Sequence, residues 1–258
     1  MQSLDADSWI ADATSAYDAG MSIAKPPVVS ASEWDASLAT LREQEERLAA
    51  VLEETSAARK RMPMVLVEDE YLFEGLEGVV RLVDLFEGRS QLILYRFFFE
   101  EGVAGWPDAG CAGCSSWADG VGDLGLVHAH DVTFAMASPA AQPQLAAYKA
   151  RMGWDDVPWY TIRTPSFTSD FGATEWFALN VFLRDGDKVY RTYFLQNGTV
   201  VGGVGSVNSL LSLTPYGSQM EGADVPEDWP QAPHAFWMRR HDEYTEPAPS
   251  ATTTPSES

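Results

Sequence analysis

One stretch limits the fold of this 258-residue chain more than any other. In WFALNVFLRDGDKVYRTYFL, Trp176 to Leu195, two runs rich in β-branched and aromatic residues flank Asp185-Gly186. An Asp-Gly pair tolerates the positive φ angles of a tight turn, so the runs read as an antiparallel hairpin. Upstream, strand-like and helix-like runs alternate. Met64 to Val67 reads as a short strand, and SQLILYRFFF, ending at Phe99, reads as a buried one by its aliphatic and aromatic density. Gly75 and Gly78 punctuate turns between them. DVTFAMAS, from Asp131, and PWYTIRT, from Pro158, are further strands. Between these two, Leu145, Tyr148, Lys149 and Met152 recur at helical spacing, and Gly153 stops the helix. Strands alternating with helices and closing in an antiparallel hairpin predict an α/β fold, a mixed sheet flanked by helices.

Residues 1–30 are a lead-in, partly flexible, with a short helix over Asp7 to Gly20 that Lys25-Pro26-Pro27 closes off. A long amphipathic helix follows over 31–62, opened by a capping-box-like Ser32 and Asp35. Its apolar stripe is Trp34, Leu38, Leu41, Leu48, Val51 and Leu52, with Arg42, Glu43, Glu45, Glu46 and Arg47 opposite. Such a stripe packs on its own domain or, failing that, forms the seam of a homodimer. Residues 63–216 form the main domain, including a last short helix over Ser206 to Leu213. Residues 217–245 are expected to pack on it as a C-terminal extension. The polar end, 246–258, has the composition of a disordered tail.

The formal net charge of −21 sets the chain against phosphate backbones and anionic lipid, so neither nucleic acid nor a membrane is an expected partner. No basic start and apolar run marks a secretory signal, and the densest apolar run, Gln91 to Phe99, is too short to span a bilayer and contains Arg96. The expected location is the cytoplasm, where thiols stay reduced and a purely structural disulfide is disfavoured.

That sharpens the question posed by GCAGCSSWADG, which holds the only two cysteines, Cys111 and Cys114. C-x-x-C on the first turn of a helix brings two sulfurs within disulfide reach, and the helix N-terminus favours a thiolate at the first. Cys111 would attack a substrate disulfide and Cys114 would resolve the mixed disulfide. Asp108 and Asp119 would oppose the thiolate if they pointed at it. Zinc is the local rival, because His128 and His130 follow the pair, although one residue between the histidines is shorter than the usual finger spacing. Inert thiols are the third reading. Trp106, Trp117, Trp154 and Trp159 either line a cleft beside the cysteines or fill the core.

Several segments in fixed order, FEGLEGVVRLVDLFEGRSQLILYRFFF, GCAGCSSWADG, HAHDVTFAMASPA, KARMGWDDVPWY, VFLRDGDKVYRTY and WMRRHDEY, resemble the DUF899 group of thioredoxin-like proteins, from about Ser30 to Tyr244. The resemblance implies a thioredoxin-like fold with an N-terminal helical extension. It also implies a dithiol–disulfide oxidoreductase acting through Cys111 and Cys114, without a tightly bound cofactor and with an external thiol or reductase as electron donor. Peroxide is the alternative substrate, with a peroxiredoxin-like sulfenic acid that the second thiol condenses with. A non-catalytic binding module whose thiols serve as sensor or zinc clip is the reading from another class. The chain departs from the family in having Arg96 where the motif commonly has histidine. It departs from thioredoxin in offering no proline over Glu175 to Ala178, just before the hairpin.

Overall fold

The computed structural model describes residues 25–173, 177–196, 231 and 240–243. The expected lead-in helix, the helix over 206–213, most of the extension over 217–245 and the tail over 246–258 lie outside these residues.

Helix α1, Ala31–Lys60, begins with a capping box two residues earlier than expected. Ser30 is the cap: its hydroxyl accepts from the Glu33 amide at 3.3 Å, and the Glu33 carboxylate accepts from the Ser30 amide at 2.9 Å. A glutamate three residues into the helix is long enough to reach back to the cap amide, which a Ser32 and Asp35 pair does less well. Among the described residues, the stripe joins neither core cluster. No α1 residue is buried, and Trp34 and Val51 are 58% and 54% exposed. Both core clusters form without it; one described tie to the sheet is Arg59, whose guanidinium lies 4.7 Å over the Tyr193 ring.

Eight strands form one mixed sheet. They are β1 (Val65–Leu66), β2 (Leu72–Gly75), β3 (Gly78–Arg81), β4 (Gln91–Arg96), β5 (Val132–Ser138), β6 (Trp159–Ile162), β7 (Ala178–Asp185) and β8 (Lys188–Gln196), in the order β1-β8-β7-β4-β5-β6-β2-β3. Between β4 and β5 lie α2 (Ala112–Asp119) and α3 (Gly125–Ala129); α4 (Gln142–Met152) connects β5 to β6, and α5 (Ser166–Asp170) precedes β7. Strands β4 and β5 are parallel, β7 runs antiparallel to β4, and β8 returns antiparallel to β7. A βαβ unit whose first strand also pairs with a C-terminal antiparallel hairpin is the thioredoxin-like arrangement, and the fold is of that class. The expected turn sits at Gly186, φ 60°, and α4 ends at Gly153, φ 65°. Gly75 and Gly78 do bracket a turn, but the flanking β2 and β3 form a hairpin that adds to β6 at the far edge.

Strand β4 is covered on both faces, as central strands of α/β sheets are. Tyr95, Phe97 and Phe99 join the cluster that contains Cys114, Phe134, Tyr148, Trp154 and Trp159. Leu92 and Leu94 join the opposite cluster with Leu85, Phe86 and Phe167. The alternation therefore places the α2 side of the sheet under the odd-numbered residues of β4.

Candidate functional site

The chain leaves β4, loops, and returns to it before α2 starts. The Cys111 amide donates to the Phe98 carbonyl at 2.9 Å, pinning the helix start against the strand end. Gly110 makes that approach tolerable: a Cβ there would stand 2.6 Å from the Phe97 ring and 3.1 Å from the Phe98 carbonyl. Cys111 is the N-cap of α2, and its sulfur accepts from the Cys114 amide at 3.5 Å. Both thiols are free. Cys111 is partly exposed, whereas Cys114, at 0% exposure, lies on the floor of the site.

These positions drive the two thiols apart in acidity. The Cys114 thiol donating to Cys111 is the largest influence lowering the Cys111 pKa to about 6. The Cys114 and Gly113 amides and the Arg240 charge act in the same direction, against the cost of burial. Burial pushes the Cys114 thiol well above the usual range, as do its hydrogen bond to Cys111 and the charge there. The Phe98 amide and the Tyr95 hydroxyl pull it back down. At neutral pH the reduced pair thus holds one accessible thiolate and one buried S–H that donates to it.

Arg240 is the cation of the site, and nothing in residue spacing pointed to it, although it lies in the WMRRHDEY segment. Its guanidinium donates to the Gly110 carbonyl at 2.6 Å, to the Ala104 carbonyl at 3.0 Å and to the Tyr148 hydroxyl at 3.0 Å. It also pairs with Glu243 at 2.8 Å. The Tyr148 and Ser115 oxygens are 2.7 Å apart. Ser115 gives its one proton to the Cys111 carbonyl at 2.9 Å, so Tyr148 donates to Ser115. The chain Arg240, Tyr148, Ser115, Cys111 carbonyl is therefore polarised in one direction. At the other end of α2, the Asp119 carboxylate meets His241 at 2.7 Å and accepts from the Trp154 indole N–H at 2.8 Å. Residues 240–243 thus strap both ends of the cysteine helix, and Arg151 secures the strap to α4 through Asp242 at 2.7 Å.

Arg96 takes no such part. It lies on the Leu92 and Leu94 face of β4, only 2% exposed, with its guanidinium donating to Glu100 at 2.8 Å and to the Phe97 carbonyl at 2.7 Å. The cation therefore lies on the opposite face of β4 from the thiols and is paired with a carboxylate. Asp119 is committed to Trp154 and His241 rather than to the thiols. The His128 and His130 arrangement is not assembled with the cysteines: among the described residues no group of three or more His, Cys, Asp or Glu side chains is placed to hold a metal ion. His130 Nδ1 meets the Leu126 carbonyl at 2.8 Å instead. The tryptophans are used chiefly as core. Trp154 and Trp159 are buried, Trp117 stacks on Tyr95 at 4.3 Å, and Trp106 sits edge-on to Phe99 at 5.7 Å.

A family model described as "Bacterial protein of unknown function (DUF899)" matches residues 23–244. A search of curated protein sequences finds no match. Among solved structures, similarity extends to a candidate thiol:disulfide interchange protein DsbE from Chlorobium tepidum, at 12% identity, TM-score 0.36, over 52% of this chain and 88% of that one. BsSco, a member of the Sco family of cytochrome c oxidase assembly proteins, is similar at 18% identity, TM-score 0.34, over 51% and 85%. Reduced Prx3 from Vibrio vulnificus in complex with hydrogen peroxide is similar at 16% identity, TM-score 0.34, over 59% and 93%. Among the described residues, no helix is long and apolar enough to cross a membrane.

Proposed function

We propose that this chain, which belongs to the DUF899 family, is a dithiol–disulfide oxidoreductase with Cys111 as nucleophile and Cys114 as resolving thiol. The observation that carries this reading is the split between the two sulfurs. A partly exposed Cys111 caps a helix with its pKa lowered to about 6, and a buried Cys114 thiol donates to it. The Cys111 thiolate attacks one sulfur of a substrate disulfide, forming the mixed disulfide and expelling the other sulfur as a thiolate. Cys114 then attacks Cys111. The protein disulfide forms, the second substrate sulfur leaves with the electron pair, and the Cys114 proton passes to a released thiolate. Two electrons move to the substrate, and an external thiol or reductase in the cytoplasm returns them.

A redox titration in glutathione buffers, read by quenched alkylation and intact mass, tests the reading. A reversible two-electron couple between roughly −270 and −120 mV is expected, the span of working oxidoreductases. Thiols that neither oxidise nor alkylate until a chelator is added would overturn it in favour of a metal clip. Oxidation by one equivalent of peroxide at a rate no higher than that of free cysteine would separate this activity from peroxide reduction.

A further inference from the structure

Tyr95 is buried among the rings on the α2 side of the sheet. Its ring stacks on Trp117 at 4.3 Å and meets Phe97 and Phe177 edge-on at 6.0 and 5.9 Å. Trp117 lies one turn along α2 from Cys114, on the same helix face, so the stack brings the phenol under the cysteine pair. Its hydroxyl is sealed from solvent and makes no hydrogen bond in the resting reduced protein. A buried phenolic O–H left in this way is costly unless another group uses it. The Cys114 thiol lies in the same buried cluster, and the two groups shift each other in opposite directions: Cys114 raises the Tyr95 pKa, and Tyr95 lowers that of Cys114.

We propose that Tyr95 is the hydrogen-bond donor that stabilises the Cys114 sulfur as a thiolate, both when it attacks the Cys111 mixed disulfide and when it leaves on reduction of the protein disulfide. The inference rests on the dithiol reading above and assigns its second step. In the resting pair, Cys114 donates to Cys111 and is held protonated. Once Cys111 is bonded to a substrate sulfur, that acceptor and its charge are gone. The groups that favour a Cys114 thiolate are then the Phe98 amide and the Tyr95 hydroxyl, and the second of these is a donor with no other bond to give up. Tyr95 keeps its own proton, because burial and the neighbouring thiols push its pKa well up. The Cys114–Cys111 bond forms as the Cys111–substrate bond breaks, and the Cys114 proton goes to the departing substrate sulfur. The other titratable groups facing this pair are Cys111, from the start of α2, and Arg240, which acts on Cys111 from the strap. Arg96 feels Cys114 only as a distant charge from across β4, where Glu100 holds it. Trp117, Phe97 and Phe177 complete the surroundings.

The test uses the full chain with glutathione disulfide as oxidant, and acid quenching with intact mass to follow the Cys111–glutathione adduct. Tyr95→Phe keeps the ring stack and removes only the O–H. Its adduct is expected to live about tenfold longer, the loss of one hydrogen bond to a developing charge, with the first attack within about twofold of wild type. The pH profile of resolution should move upward. 3-Fluorotyrosine at position 95, a stronger donor of nearly the same size, should move it downward and provides the readout if the phenylalanine variant folds poorly. Equal adduct lifetimes with an unmoved profile, or equal slowing of both steps, would leave Tyr95 a packing residue and overturn the proposal. Cys114→Ser separates the two levels. If that variant accumulates no adduct, the dithiol reading itself is lost and this inference with it; if it does, a negative Tyr95 result removes only the donor role.

Discussion

The two ends of the described chain use sequence in opposite ways. Helix α1 spends 30 residues on a regular amphipathic pattern and buries none of them. The four residues from Arg240 to Glu243 carry no apolar pattern at all, yet they reach both ends of the cysteine helix through Gly110 and Asp119. A stripe needs an unoccupied apolar surface to pack on, and both faces of this sheet are filled by their own clusters. A guanidinium needs only a few convergent acceptors, and the loop before Cys111 supplies two carbonyls and α4 a phenol. Periodicity describes what a segment could cover; it does not say that anything lies there to be covered.

The contrast can be broken experimentally, and the largest effect belongs to Arg240. Arg240→Ala removes one of the two arginine partners of Glu243 and leaves the Gly110 and Ala104 carbonyls and the Tyr148 hydroxyl without this donor. A loss of about 2–3 kcal/mol is expected for a partly buried, multiply bonded cation, read from urea denaturation. The Cys111 pKa should rise from about 6, and because the Arg240 charge is the smallest of the influences on it, alkylation near neutral pH should slow by less than about twofold as the thiolate fraction falls. Wild-type stability and reactivity in this variant would reduce the strap to a surface contact.

The second effect is a pH signature. Between about 6 and the ordinary thiol value of about 8.5, the folded protein holds Cys111 as thiolate while the unfolded chain keeps the proton. The unfolded state then binds more protons, and stability rises with pH; it falls back as pH drops through 6. Above about 8.5 the sign reverses, because the folded state still protonates Cys114 while the unfolded chain has released both protons. Denaturation midpoints of the reduced protein should therefore peak near the top of that window. The peak should be lower in Arg240→Ala and absent when both cysteines are serine.

Smaller still is His241→Ala, which removes one of the two partners of Asp119 and leaves the Trp154 bond in place. A cost of about 0.5–1 kcal/mol is expected from thermal melting, with the Cys111 alkylation rate unchanged. The smallest effect is reserved for α1. Leu41→Glu together with Leu48→Glu, both on the exposed stripe, should leave folding stability within about 0.5 kcal/mol and thiol reactivity at the wild-type rate. A clear loss in either would show that the helix is covered after all.

What could be read from residues alone follows the range of the interactions. The β7–β8 hairpin was legible because Asp185-Gly186 fixes its own turn, and α4 because its spacing and Gly153 act within a few residues. The start of the cysteine helix was legible for the same reason, although not Cys111 as its cap. The hairpin β2–β3 was not, because Gly75 and Gly78 mark a turn without saying that β6 offers an edge to join. The direction of Arg96 was hidden because β4 is buried on both faces, which erases the alternation that would have told inside from outside. Tyr95 and Arg240 were hidden for a deeper reason. The first looks like one more core aromatic until its oxygen is found buried without a hydrogen-bond partner, and the second lies 130 residues beyond the carbonyl it grips.

That separation gives the site a schedule. A chain made from its N-terminus produces Cys111 and its helix long before Arg240 exists, so during synthesis the first sulfur has its capping amides available but not the positive charge. The last increment of its reactivity arrives only when the strap has been made and has docked. The nascent protein therefore carries a tamer thiol than the finished one, and completion of the fold is also the step that brings the cysteine to its full acidity.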